Sequence, residues 1–159
     1  MKKWRAARLT REQAMDVAFG VLARRARSAA EVRATLIRRG ASASLAARVL
    51  QRLRALGYVD DEKLAAEETA RLRERGFGSL RIHDQLLRRQ IAEKIVERVT
   101  PGVTEERELA RRVLTRRFGE QELEDRSDLA RAARFLAGRG FPAEIIDSLF
   151  DVWELRKDS

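Results

Sequence analysis

The sequence has no cysteine, and only two prolines and nine glycines occur among its 159 residues. Without cysteine the chain can form neither disulfide bonds nor thiolate metal sites, and a reducing cytoplasm is its expected compartment. Because proline and glycine are scarce, few residues interrupt a helix. Ala, Leu, Arg and Glu, all strong helix formers, dominate the composition. These features predict an all-α protein.

Long apolar runs and catalytic groups are also scarce. No stretch is long enough to cross a bilayer, and the charged start at Met1 leads into no apolar segment, so we expect neither a membrane partner nor a signal peptide. The single histidine, His83, has no second ligand or base at a recognisable spacing. We therefore expect no enzyme activity, metal, cofactor or small-molecule substrate.

Basic residues are abundant. The formal net charge is +9 and the sequence pI is about 11.0, which favours an anionic partner such as nucleic acid, an acidic protein surface or an anionic membrane. Only five of the 34 basic residues are lysines. The planar fork of arginine suits carboxylate and phosphate, although a coding bias would explain the same preference.

The strongest internal signal is a repeat at an offset of 50 residues. Segments 31–53, 81–103 and 131–153 align without gaps, and eight columns are apolar in all three. Within each segment the apolar residues follow helical spacing. In the first segment the apolar columns are those of Val32, Leu36, Ile37, Ala41, Leu45, Ala46, Val49 and Leu53.

Each segment is predicted to hold two short helices, and a third amphipathic helix precedes each segment. Because such helices cannot bury their apolar faces alone, we predict three tandem three-helix repeats stacked into an elongated, curved array. The predicted divisions are an N-terminal tail 1–9, repeats 10–59, 60–102 and 103–155, and a C-terminal tail 156–159. The acidic stretch Glu120–Asp125 is predicted to be a surface loop.

Helix start and stop signals agree with this division. Capping boxes are predicted at Thr10 with Gln13 and at Ser28 with Glu31. Caps are also expected at Asp60 and Thr104, and Ser79 and Ser127 are expected to precede helices. Gly40 and Gly140 lie where a left-handed residue ends a helix, and Gln90 replaces glycine in the middle repeat. Further stop signals are Gly57, Gly76, Pro101-Gly102 and Gly119.

The repeat also aligns basic residues. Arg39, Arg89 and Arg139 share one column, and in a stacked array they would form a continuous positive track. We predict these three as partner contacts, with Arg38, Arg88, Arg81 and Arg131 as further contacts. The alternative is that they only supply positive charge near helix C-termini, where it is favourable in any helix.

Three other patterns point more strongly to structural roles. Asp60-Asp61 resembles half of a magnesium site, but an acidic pair after Gly57-Tyr58-Val59 is more typical of a helix cap. Gly76-Phe77-Gly78-Ser79 lacks the full phosphate-loop spacing and predicts a turn between helices. The aromatic residues lie mainly on apolar stripes or at helix ends and are expected in the core.

Several of these strings resemble the RecX family, the bacterial regulators of the RecA recombinase. The first repeat is similar to the family in Ala29-Ala30-Glu31-Val32-Arg33, and most specifically in the string from Leu53 through Leu56-Gly57-Tyr58-Val59-Asp60-Asp61. The later repeats are similar in Arg75-Gly76-Phe77-Gly78 and in Arg139-Gly140-Phe141. The resemblance covers about residues 12 to 153, with departures at Gln90-Ile91 and Pro101-Gly102.

The resemblance implies three tandem three-helix repeats and a binder that lodges in the helical groove of the RecA filament on DNA. We expect this binder to be a monomer. The resemblance further implies restraint of filament growth, ATP hydrolysis, strand exchange and coprotease activity in DNA repair, recombination and the SOS response. It carries over no catalytic residue. A basic helical-repeat protein that binds DNA without RecA specificity remains the alternative, since counterion release alone would give it affinity.

Overall fold

The computed structural model describes the backbone of residues 8–119 and 125–157 and the side chains of residues 8–119 and 125–151. Within these ranges the regular structure consists of nine α-helices and no strand. The predicted all-α class is therefore confirmed. The helices are α1 (Arg11–Leu22), α2 (Ala29–Arg38), α3 (Ala43–Ala55), α4 (Asp61–Glu74), α5 (Ser79–Arg88), α6 (Glu93–Val99), α7 (Val103–Phe118), α8 (Arg126–Gly138) and α9 (Ala143–Lys157).

Side-chain caps define several helix starts. The Thr10 and Ser28 capping boxes both form, with each hydroxyl accepting from the amide three residues on, as predicted. The start predicted at Thr104 is wrong, because α7 begins at Val103 after Gly102, which makes no side-chain cap. Ser79 and Ser127 lie inside α5 and α8 rather than before them. Asp125 caps α8, and the rest of the predicted acidic loop, residues 120–124, lies outside the described residues.

Left-handed residues follow several of the helices. Gly40 and Gly140 have φ of 103° and 84°, and each donates its amide to a carbonyl three residues earlier, as expected of a C-terminal cap. Gln90 adopts φ of 57° at the equivalent position, although it has a side chain. The middle repeat therefore keeps the geometry of the other two without their glycine.

The chain divides into two compact units. The first comprises the residues up to Ala66 together with Leu87–Ile95. Its core lies between α1, α2 and α3, and its most deeply buried side chains are Ala14, Ala18, Val32, Leu36, Ala46, Val49 and Leu53. Burial of these apolar side chains is the main stabilising term for helices of 10 to 13 residues.

The second compact unit comprises Glu67–Leu86 and the residues from Val96 onward. Its core lies between α7, α8 and α9 and includes Leu109, Ala110, Leu114, Ala132, Leu136, Phe141, Ile145, Ile146 and Leu149. The predicted repeat boundaries at 59/60 and 102/103 remain predictions, since the division between the compact units lies within the middle set of helices.

The apolar columns of the sequence repeat are mostly core positions. Four of the eight are buried in all three copies, namely those of Val32, Leu36, Ala41 and Ala46. The column of Ile37 lies outside the core, because Ile37 and Leu87 are 39% and 37% exposed and Ala137 is exposed. Val103 is 62% exposed in the column of Leu53. Repetition of an apolar residue therefore does not by itself place it in the core.

Candidate partner-binding surface

The seven predicted contact arginines differ in exposure. Five of them are exposed: Arg38, Arg39, Arg81, Arg88 and Arg131. The other two, Arg89 and Arg139, are half-buried and make contacts inside the protein. The single column predicted as a positive track thus holds arginines in different surroundings.

Arg89 joins the end of α5 to the loop before α2. Its guanidinium donates to the Ala26 carbonyl at 2.8 Å and to the Glu31 carboxylate at 3.0 Å, and its side chain is only 12% exposed. The Ser28 hydroxyl donates to the Arg89 carbonyl at 2.7 Å, and Asp61 accepts from the Ala29 amide at 2.8 Å. These contacts, all within the first compact unit, form what we call the first inter-repeat interface.

The Glu31 carboxylate is electrostatically satisfied at this interface. Burial raises its pKa, but hydrogen bonds from the Arg89 side chain and the Ser28 amide, with the charges of Arg89 and Arg25, outweigh burial and hold the pKa below the ordinary value of 4.5. Glu31 is therefore charged at neutral pH, and the pair with Arg89 is complete.

Arg139 makes an equivalent contact in the second compact unit. Its guanidinium donates to the Arg75 carbonyl, in the loop before α5, at 2.8 Å. Glu106, which is 2% exposed, accepts from the amide of Ser79, the first residue of α5, at 2.6 Å and from Arg73 at 3.1 Å. We call these contacts the second inter-repeat interface, in which a carboxylate again caps the middle helix of the preceding repeat.

Two glycines allow the backbones to meet at the second interface. The Gly78 amide donates to the Arg139 carbonyl at 2.9 Å, and the Leu80 amide donates to the Gly140 carbonyl at 3.0 Å. A Cβ added to Gly78 would lie 2.5 Å from the Gly140 oxygen. The string Gly76-Phe77-Gly78-Ser79 is therefore a turn between helices, as its sequence predicted. The structure also shows that this turn packs against Gly140.

Arginine and phenylalanine alternate across one cluster of the second unit, which we call the Arg–Phe cluster. Phe77 has the guanidiniums of Arg75, Arg81 and Arg139 at 5.2, 4.5 and 5.1 Å from its ring centroid. Arg139 also lies 5.3 Å from the centroid of Phe135. The cluster continues through Phe118, which packs edge to face with Phe135, and through Arg117 and Arg131 beside these rings.

This cluster is strongly basic. The three guanidiniums around Phe77 lie within roughly 10 Å of one another, about one Debye length at about 0.1 M salt, so they repel each other unless an anion is near. The Arg131 guanidinium pairs with Asp128 at 2.8 Å, which neutralises one of the five positive charges. Guanidinium groups lie over the ring faces. The cluster therefore offers a ligand guanidinium donors, and its aromatic faces are less available for base stacking.

Sequence reasoning found only part of this cluster. It selected Arg81, Arg131 and Arg139 from the repeat but missed Arg75 and Arg117, and it assigned the phenylalanines to the core. A local signal exists, because Arg75 and Arg117 each lie within two residues of a phenylalanine. The prediction that aromatic residues lie in the core is confirmed for Phe141, which is 2% exposed. It is wrong for Phe19, which is 36% exposed and packs edge to face on the exposed Tyr58.

The other candidate groups have structural surroundings. Asp60 caps α4 by accepting from the Lys63 amide at 3.0 Å, and Asp61 caps α2 as described above. Among the described residues no group of three or more His, Cys, Asp or Glu side chains could hold a metal ion, and His83 is half-buried on α5. Over the same part of the chain, no helix combines the length and apolarity that a membrane span requires.

Comparison with known proteins identifies relatives of this chain. The model of the first three-helix domain of RecX matches residues 14–53, and that of the third matches residues 104–150. A regulatory protein RecX of Thermus thermophilus is 36% identical over 146 residues, covering 92% of this chain and 94% of the relative. A regulatory protein RecX of Deinococcus radiodurans is 36% identical over 138 residues, covering 86% and 66%.

Solved structures show the same fold. RecX from Lactobacillus salivarius superposes with a TM-score of 0.78 at 18% identity, covering 91% of this chain and 97% of that chain. A second regulatory protein RecX gives a TM-score of 0.71 at 19% identity, covering 89% and 73%. With the matches to two three-helix domains, these similarities confirm the predicted helical repeat fold.

Proposed function

The chain belongs to the RecX family of regulatory proteins, and from this premise we propose that it binds the RecA filament on DNA and restrains its activity. The observation that carries the proposal is the Arg–Phe cluster, where five guanidiniums lie beside aromatic rings and, among the described residues, the Arg131 guanidinium pairs with Asp128. Such a surface suits a polyanionic assembly in which acidic side chains or phosphates recur.

The proposed action is inhibition of RecA ATP hydrolysis, strand exchange and coprotease activity, and hence a role in DNA repair, recombination and the SOS response. The protein acts as a cytoplasmic monomer that touches DNA directly or within the filament. A bound monomer that contacts successive subunits would gain affinity by multivalency and would oppose rearrangement of the filament.

The proposed contacts are of two kinds. Arg38, Arg39 and Arg88 in the first unit, and Arg81 and Arg131 in the second, are exposed and meet the partner directly. Arg89 and Arg139 are part of the same proposal, but they act mainly by holding the two inter-repeat interfaces, because their guanidiniums already donate to the Ala26 and Arg75 carbonyls.

Binding to filaments tests the proposal. The protein is sedimented with RecA–single-stranded DNA filaments and, separately, with the same DNA alone. We expect sedimentation with filaments at concentrations where the DNA alone retains little protein. Equal retention by DNA alone would favour the alternative, an independent DNA-binding protein whose affinity comes from the net charge of +9.

The Arg–Phe cluster has a matched control in the same unit. Replacing Arg81 and Arg131 together by Gln is expected to weaken filament binding about tenfold, because two charge-assisted contacts are lost. Replacing Arg111 and Arg112 by Gln removes the same charge from exposed positions of α7 outside the cluster. Equal weakening by both pairs would show that only net charge matters.

A further inference from the structure

Arg39 occupies the position that Arg89 and Arg139 hold in the later repeats, but its surroundings differ. Arg89 and Arg139 each donate to a loop carbonyl of the preceding repeat, at 2.8 Å in both cases. Each has a second contact, Glu31 for Arg89 and the Phe77 ring for Arg139. The Arg39 side chain, by contrast, is exposed and makes no hydrogen bond or ion pair with the described part of the chain.

The backbone at Arg39 has the same geometry as at Arg139. The φ and ψ angles are −84° and 0° at Arg39 and −85° and −5° at Arg139, and a left-handed glycine follows each. A side chain leaves the two positions in the same direction relative to its helix. Arg39 can therefore reach the kind of acceptor that Arg139 reaches without any change of the backbone.

The Gly40 carbonyl, next to Arg39, accepts a backbone hydrogen bond as the Gly140 carbonyl does at the second inter-repeat interface. The Gly140 carbonyl accepts from the Leu80 amide at 3.0 Å, and the Gly40 carbonyl accepts from the Leu9 amide at 3.4 Å. Leu9, in the short segment before α1, thus makes with Gly40 the backbone contact that Leu80 makes with Gly140. This segment supplies no acceptor for the Arg39 guanidinium among the described residues.

We propose that Arg39, for which the described residues supply no such acceptor, binds a peptide segment of the protein partner, namely a loop carbonyl followed by a helix whose first turn bears a carboxylate. Ala26 to Glu31 presents this arrangement to Arg89, with the carboxylate three residues after the N-cap Ser28. The proposal rests on the proposed function, since the segment would belong to a RecA subunit.

Charge and geometry both favour such a peptide. Arg38 lies beside Arg39 and is also exposed, so an acidic segment is attracted and a basic one is repelled. The arginine fork can donate to a carbonyl and a carboxylate together, whereas the single ammonium of lysine cannot hold both in a fixed geometry. The contact is thus specific for arginine as well as for charge.

Three variants test this inference by sedimentation with RecA filaments. Arg39→Gln is expected to raise the protein concentration needed for half-maximal binding about tenfold, and Arg39→Lys at least about threefold. Arg33→Gln removes the same charge from an exposed position of the same helix that is not among the proposed contacts, and it is the control. We expect the control to change binding less than about twofold. All three should keep the helical signal and thermal midpoint of the parent, because the side chains are exposed.

The outcomes separate this inference from the proposed function. If the parent protein does not sediment with filaments, the proposed function is wrong and this inference is lost with it. If the parent sediments and Arg39→Gln binds as the Arg33→Gln control does, only the Arg39 contact is wrong. Concentration-dependent self-association that Arg39→Gln abolishes would assign the contact to a second copy, and a loss of binding to DNA alone would assign it to phosphate. Either result would overturn the peptide proposal.

Discussion

Gln90 is a residue held in a conformation that costs free energy. Its φ of 57° lies in the left-handed region, where a side chain is disfavoured by about 1 kcal/mol or more relative to glycine at a helix end. Gln90→Gly is therefore expected to raise the free energy of unfolding by about 1 kcal/mol. Urea unfolding followed by circular dichroism measures the change.

Gly57 provides the opposite substitution as a control. It has φ of 78°, and an added Cβ would meet nothing within 4 Å, so only the backbone conformation resists a side chain. Gly57→Ala should lower the free energy of unfolding by about the amount that Gln90→Gly raises it. A stabilising Gly57→Ala, or a destabilising Gln90→Gly, would contradict the left-handed assignment.

Glu31 gives the first interface a dependence on pH. Its folded pKa lies below 4.5, so the stability that its charge contributes is fully present above pH 4.5 and is lost as the pH falls through the folded pKa. The difference in unfolding free energy between the parent and Glu31→Gln should thus be constant near neutral pH and shrink as the pH falls below 4.5 toward the lowered pKa of the folded state. A difference that stays constant as the pH is lowered through 4.5 and below would show that the Glu31–Arg89 pair does not form.

At the residue scale the sequence could predict which positions are equivalent but not what each one touches. The column of Arg39, Arg89 and Arg139 was visible as a repeat, and periodicity gave no reason to separate its members. Their surroundings differ because Arg89 and Arg139 donate to loop carbonyls of a preceding repeat, whereas Arg39 makes no such contact with the described residues. Long-range contacts such as Arg89 to Ala26, 63 positions apart, have no local signal.

Among the helices, α5 depends on a residue of another helix for its start. Ser79 is its first residue, and the Ser79 amide donates to Glu106 of α7 at 2.6 Å. Removing the carboxylate would leave this amide and the Arg73 guanidinium without their buried partner. Glu106→Ala is therefore expected to lower the free energy of unfolding by about 2 to 3 kcal/mol, as measured by urea unfolding.

Glu105 provides the matched control for this prediction. It precedes Glu106 on α7 but is exposed, and its contact with Arg73 uses its backbone carbonyl, which a substitution keeps. Glu105→Ala should change the unfolding free energy by less than about 0.5 kcal/mol. Similar losses in both variants would mean that Glu106 acts only through its charge at the helix start.

Helix boundaries were predictable where the signal is local. The Thr10 and Ser28 capping boxes and the left-handed glycines at 40, 57 and 140 lie where the sequence placed them. The start of α7 was not predictable from capping residues, because Gly102 supplies no side-chain oxygen and Val103 begins the helix. The cap on α5 was missed for a different reason, since it comes from a carboxylate 27 positions away.

For the whole molecule, the fold class and family followed from the 50-residue repeat and a few strings, because the repeated apolar columns largely coincide with buried positions. The proposed binding surface could be predicted only in part from the sequence. Its charge is a property of composition, whereas the Arg–Phe cluster depends on packing that brings arginines of α5, α7, α8 and the loop between α4 and α5 to three aromatic rings. Pairing of this kind is set by packing and has no period in the sequence.

A titration of RecA ATP hydrolysis on single-stranded DNA tests the central proposal most directly. We predict that hydrolysis falls at protein concentrations far below the concentration of DNA binding sites and that excess competitor DNA does not restore it, because the target is the filament. Hydrolysis that is unaffected, or that recovers fully when competitor DNA is added, would contradict a regulator that acts on the RecA filament.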